Sequence, residues 1–195
     1  MKLIYSYYKS IPTTNQAEEF ACANYWKYSW EKNGWGTCML NSTHAQVSSL
    51  CGKLLRKLTT ESSNIKSDAS RGYDFFNARY VRWCALHAAG GGWMCDYDVV
   101  NKSFTTDIAD QLEQEGTLHI NAGEPAYIFY ATRDHCESVI RKFIQNDMVE
   151  NGMLKNEAEI LGVVSNLYPI LPLVHRTKKT QDNPKSEIMK KLCYE

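Results

Sequence analysis

The most constraining stretch of this chain is a triple glycine, Gly90-Gly91-Gly92, set between a helical pattern and a short apolar run that ends in Asp96-Tyr97-Asp98. From Tyr73 to Ala89 the pattern is helical, with Ala78, Val81, Ala85 and Ala88 on one face and Phe75, Leu86 and Ala89 beside it. Glycine supplies the positive φ that a helix C-cap needs, so the triple glycine ends this helix abruptly. Trp93-Met94-Cys95 then reads as a buried strand that delivers two carboxylates at its carboxyl end, where ligands of open α/β sheets gather. One residue separates Asp96 from Asp98. In an extended segment they share a face; a turn after Asp96 instead splays them around one cation, one bound directly and one through water. Carboxylate oxygens with open water positions suit Mg²⁺ or Mn²⁺, which neutralises a diphosphate.

The rest of the chain supplies an α/β frame. Leu3 to Tyr8 reads as a first buried strand. A helix capped by Thr13 or Thr14 runs to about Lys32, with Phe20, Ala23, Tyr25, Trp26 and Trp30 at near-helical spacing and most of these rings in the core. Asn33-Gly34 stops that helix and Gly36 to Leu40 forms the second strand, a βαβ unit that implies a parallel sheet. Ser48 to Leu58 predicts a short amphipathic helix, and the polar run Thr59 to Ser70 a loop. Two more strands fall at Thr117 to Asn121 and Ala126 to Ala131, and helices at about His135 to Gln145 and Asn156 to Tyr168. The expectation is a single domain over residues 1–176, followed by a polar tail at 177–195.

Composition narrows the classes of partner. Acidic and basic residues balance at 22 each, so the chain lacks the cationic excess of a general nucleic-acid binder. The seven cysteines form no CxxC pair and are odd in number, which predicts reduced thiols and a cytoplasmic setting, the host cytoplasm if the source is viral. The start is too polar for a signal peptide, and no stretch approaches the roughly 20 apolar residues of a membrane span.

The run from Arg82 through Leu86, Gly90 and Gly91 to Asp96-Tyr97-Asp98 resembles the DxD-containing sugar transferases of the GT-A fold, the group related to initiating mannosyltransferases and capsular-polysaccharide enzymes. The likeness covers about 30 residues, Asp74 to Asn101. Gly92 is an extra glycine against that pattern, and Ala78-Arg79 stands where the family carries Ser-Asp. Asp74 and Asn77 are the substitutes for that donor contact.

The resemblance implies a Rossmann-like domain with a mainly parallel sheet. It also implies a UDP- or GDP-sugar donor and a glycan or glycoconjugate acceptor, with Mn²⁺ or Mg²⁺ held by Asp96 and Asp98. Tyr5, Ser6, Tyr7 and Tyr8, at the carboxyl end of the first strand, fall near the base; Arg82 and Tyr97 join the donor site. His175 is the candidate third metal ligand, with His119 and His135 as alternatives, and Arg176 and Lys178 are placed to meet phosphate. Should the reaction invert configuration, Glu124 is the candidate base, with Asp134 behind it. Two other classes compete. A metal-dependent phosphohydrolase or nucleotidyltransferase also uses Asp-x-Asp, but the first strand lacks the nucleophilic aspartate of one and no Gly-Ser signal marks the other. A noncatalytic carbohydrate-binding domain would account for the many Trp and Tyr residues.

Overall fold

The computed structural model of the protein describes residues 1–9, 16–62, 72–114, 119–120, 128–150, 153–155, 160 and 173–176, with the backbone alone for 62, 72–76, 119–120, 153–154 and 175–176. In chain order the elements are β1 (Leu3–Tyr7), α1 (Gln16–Glu31), β2 (Gly36–Leu40), α2 (Ser42–Ala45), α3 (Ser49–Ser62), α4 (Gly72–Ala88), β3 (Gly91–Cys95) and β4 (Val99–Asn101). There follow α5 (Thr106–Glu113), β5 (His119–Ile120), β6 (Ile128–Thr132), α6 (Arg133–Gln145), β7 (Val149–Glu150), β8 (Met153–Leu154) and β9 (Val174–Arg176). Five strands form one sheet in the order β2-β1-β3-β6-β5. β1 runs parallel to β2 and to β3, whereas β6 is antiparallel to both β3 and β5. Four strands therefore point one way and β6 the other. The α/β class and the mainly parallel sheet are as expected, and β3 is the central strand.

Alternation along β3 divides the core. Trp93 and Cys95 join Ile4, Trp26, Trp30, Trp35, Phe104 and Ile128 on the side of α1, while Met94 joins Trp83, Phe129, Ile140 and Phe143 on the side of α4 and α6. Each indole N–H on the α1 side has an acceptor. Trp30 Nε1 donates to Val99 O at 3.0 Å, Trp35 Nε1 to Phe104 O at 2.7 Å, Trp93 Nε1 to Glu113 Oε1 at 2.7 Å and Trp26 Nε1 to Cys95 Sγ at 3.1 Å. Buried tryptophan needs such a partner, and here the partners also tie the strand ends to α1. Trp83 instead stacks on Phe129 with ring centroids 4.2 Å apart.

The structure corrects several local expectations. The buried stripe of α1 is Glu19, Cys22, Trp26, Ser29 and Trp30, which leaves Phe20 one residue off the stripe and 70% exposed. α4 is buried all round from Tyr80 to His87, wedged between the sheet and α6, and it is Ala88 and Ala89 that face solvent. Only Gly90 serves as the helix stop. Gly91 and Gly92 belong to β3, where a Cβ on Gly91 would lie 2.6 Å from Ala131 O and one on Gly92 would lie 3.2 Å from Tyr5 Cε2. The glycines thus let β6 and the Tyr5 ring close on the central strand. Thr59 to Ser62 extend α3 rather than beginning a loop; the Thr59 and Thr60 hydroxyls donate to Leu55 O at 3.0 Å and Arg56 O at 3.1 Å. Residues 63–70, the last helix expected at about Asn156 to Tyr168 apart from Ile160, and the tail at 177–195 lie outside the described residues. No helix among those described is long and apolar enough to cross a membrane.

Candidate functional site

At the end of β3 the chain leaves the sheet. Ladder pairing with β6 ends at Cys95↔Ile128, and the Val99 N–H donates to Asp96 O at 3.0 Å, closing a four-residue turn over Asp96–Val99. Aspartate is a favoured residue for starting such a turn. The segment after Asp96 therefore turns instead of staying extended, the second of the two backbone courses expected.

Asp96 and Tyr97 are held by different helices. Arg82, on α4 and only 4% exposed, donates from Nη1 to Asp96 Oδ1 at 2.8 Å, with its guanidinium 5.0 Å from the centre of the Phe129 ring. The Asp96 side chain keeps a quarter of its surface open. Asp98 is half-buried, with Oδ1 shut off from solvent. Between them Tyr97 turns toward α1, where its hydroxyl donates to Glu19 Oε1 at 3.3 Å. The other oxygen of the same carboxylate accepts from the Tyr8 hydroxyl at 2.9 Å, and the two tyrosine rings meet edge to face at 5.7 Å. Burial, followed by the Glu19 and Asp98 charges, pushes the Tyr97 phenol far above its ordinary pKa, so it stays a proton donor to Glu19. Burial likewise raises the Cys95 thiol well above its usual value, which leaves it a packing residue.

No protein-family model, curated protein or solved structure matches this chain.

Several expected residues prove to lie elsewhere. The Tyr5 ring lies over Gly92 and lines a cleft with Lys2, Gly90 and Tyr130, at the opposite end of the sheet from Asp96, because the missing glycine side chain leaves room there. Tyr7 packs in the α4-side core, where burial and then Cys84 push its phenol up to about 12. Ser6 is fully buried, and its hydroxyl has no hydrogen-bond partner among the described residues. Of the four first-strand candidates, Tyr8 alone reaches the Asp-Tyr-Asp turn. His135 is spent at the N-terminus of α6, where its N–H donates to Thr132 Oγ1 at 3.2 Å and its ring Nδ1 accepts from Thr132 N at 3.4 Å. Because β6 runs backwards and places Thr132 opposite Gly91, both Asp134 and His135 start at the wrong end of the sheet to serve Asp96.

Other candidates lie in described elements or are not described. Asn77 stands on α4 five residues before Arg82, half-buried, its Oδ1 without a partner among the described residues. Asp74 belongs to the first turn of the same helix by its backbone. β9 pairs antiparallel with β4, Val99 opposite Arg176 and Val100 opposite His175, so the backbone of His175 comes within two ladder positions of Asp98. His119 is in β5, opposite Tyr130. Glu124 and Lys178 fall outside the described residues.

Glu19 was missed in the sequence. Its signal was there, a carboxylate at the core-facing spacing Glu19-Cys22-Trp26, but an acidic residue in a helix's first turn reads first as a dipole partner.

Among the described residues no three His, Cys, Asp or Glu side chains converge to hold a metal ion. Two carboxylates still fit Mg²⁺ or Mn²⁺, which are commonly held by one or two protein oxygens, with substrate phosphate and water completing the shell.

A cleft of about 840 Å³ opens beside this turn, between α1 and β2, with Tyr8 and Glu19 in its wall.

Proposed function

We propose that the protein is a glycosyltransferase that moves a sugar from a nucleoside-diphosphate sugar to an acceptor hydroxyl. The observation that carries this reading is the Asp96–Val99 turn at the carboxyl end of the central strand, with Asp96 held by a buried arginine and Tyr97 held by Glu19. Ligands of open α/β sheets collect at that end, and the neighbouring β1 brings the Tyr8 ring there as a stacking surface for a base. The six described cysteines are all free thiols, which suits a cytoplasmic enzyme.

In this reading Asp98 and Asp96 hold the divalent cation, which when bound offsets the charge that gathers on the diphosphate. Arg82 holds the Asp96 carboxylate, and Glu19 holds the Tyr97 hydroxyl toward α1. The acceptor oxygen forms its bond to the anomeric carbon as the bond from that carbon to the β-phosphate oxygen breaks. The electron pair leaves with the nucleoside diphosphate, and a freed phosphate oxygen takes the proton that the acceptor hydroxyl gives up. Release of free nucleotide from a panel of UDP- and GDP-sugars with Mn²⁺ tests the reading. The wild-type protein releases nucleotide from at least one donor and folded Asp98→Ala from none; equal release by both proteins would overturn it.

A further inference from the structure

We infer that the cleft between α1 and β2 is a saccharide subsite, taking the acceptor of the transfer proposed above and resting on that reading for the word acceptor. The cleft's volume of about 840 Å³ falls within the roughly 300–1,000 Å³ usual for small-molecule sites. Its lining mixes two chemistries. Phe20, Ala23 and Met39 give it apolar surface, and Phe20 presents its ring while 70% exposed, a cost in water that a bound apolar face would relieve. Gln16, Asn24 and Thr37 add side chains that both donate and accept hydrogen bonds. A pyranose has that same pair of surfaces, a C–H face and a rim of hydroxyls that donate and accept.

Charge argues against a phosphorylated occupant. Lys27 is the one cation among the described lining residues, and Glu19 stands opposite in character with an acceptor-only carboxylate. That carboxylate has about four lone-pair positions, and the Tyr8 and Tyr97 hydroxyls occupy one on each oxygen. A sugar hydroxyl in the cleft therefore meets a buried acceptor whose other contact is the middle residue of the Asp-Tyr-Asp turn. Tyr8 and Glu19, which line the cleft, thus connect it to Tyr97 of the turn.

The test is a pair of titrations on the full chain. Methyl α-glucoside, methyl α-mannoside, methyl β-galactoside and N-acetylglucosamine are titrated in one series, followed by ligand-observed NMR, and UDP and GDP with Mn²⁺ in the other. At least one saccharide binds the wild type, and Phe20→Ala, an exposed position that leaves the fold intact, weakens it about tenfold, equivalent to ~1.4 kcal/mol. Nucleotide affinity stays unchanged in that variant. Absence of saccharide binding, equal saccharide affinity in Phe20→Ala, or a loss confined to nucleotide affinity would each overturn the assignment. Saccharide binding through Phe20 with no nucleotide binding at all supports the subsite and sinks the transferase reading, so the two failures are distinct.

Discussion

The ion pair between Arg82 and Asp96 is asymmetric, and the asymmetry sets what happens when either side is removed. The Arg82 side chain is 5% exposed and that of Asp96 25%, at a separation of 2.8 Å. Asp96→Ala takes away the carboxylate that balances a buried guanidinium, and removing one partner of a buried pair costs ~3–5 kcal/mol. Because water can partly enter the space that Asp96 leaves, the lower end applies, about 3 kcal/mol. In a chain of this size that lowers Tm by about 6–12 °C. Arg82→Met keeps most of the aliphatic packing and lets Asp96 rehydrate through its open side. It forfeits the cation–π contact with Phe129, worth about 1 kcal/mol, and a partly screened ion pair, worth about 1 kcal/mol or less. The double variant holds neither charge and should be more stable than Asp96→Ala alone. Urea unfolding of the four proteins, with ΔG extrapolated to water, measures all three differences. Simple additivity, with the double variant less stable than Asp96→Ala, would refute the argument.

Two other outcomes follow from the packing. Gly91→Ala forces a Cβ against Ala131 O and Arg133 N at φ +89°, whereas Gly90→Ala at φ +98° meets nothing within 4 Å. The second should cost only the left-handed penalty, about 1–2 kcal/mol, and the first should prevent the folded protein from accumulating; comparable yield and melting of the two variants would contradict this. The Tyr7 phenol, raised from 10.0 to about 12, binds its proton more tightly folded than unfolded, so its contribution is complete below pH 10 and is lost as pH rises toward 12. Tyr7→Phe should flatten the fall in stability across that window in alkaline unfolding curves, and an unchanged slope would show that the phenol is not so perturbed.

The frame was largely legible in the sequence because its elements are locally consistent. β2 spans Gly36–Leu40 as read, α4 and α6 are shifted by one or two residues, and the central strand was missed only in its two glycines. The short elements were not legible. β4 has three residues and exists by pairing with β9, more than 70 positions away, and α5 is an eight-residue helix whose apolar positions are few. At the site, Asp96, Asp98 and Arg82 could be placed because helix, glycine break and strand are contiguous in sequence. Tyr5 was misplaced because alternation says which face a residue takes but not toward which end its ring leans. Glu19 escaped because its role depends on two hydroxyls, 11 residues before it and 78 after, that only the fold brings to one carboxylate.

The claim beneath all of this is that the Asp96–Val99 turn takes up a diphosphate together with a divalent cation. Thermal unfolding with Mn²⁺ and saturating UDP or GDP addresses it directly, since a ligand at 100 times its Kd adds about 2.7 kcal/mol to the folded state. The account predicts a rise in Tm for the wild type with one of these nucleotides, dependent on Mn²⁺ and absent in Asp98→Asn of equal unliganded Tm. No rise with either nucleotide, or the same rise in Asp98→Asn, would contradict it.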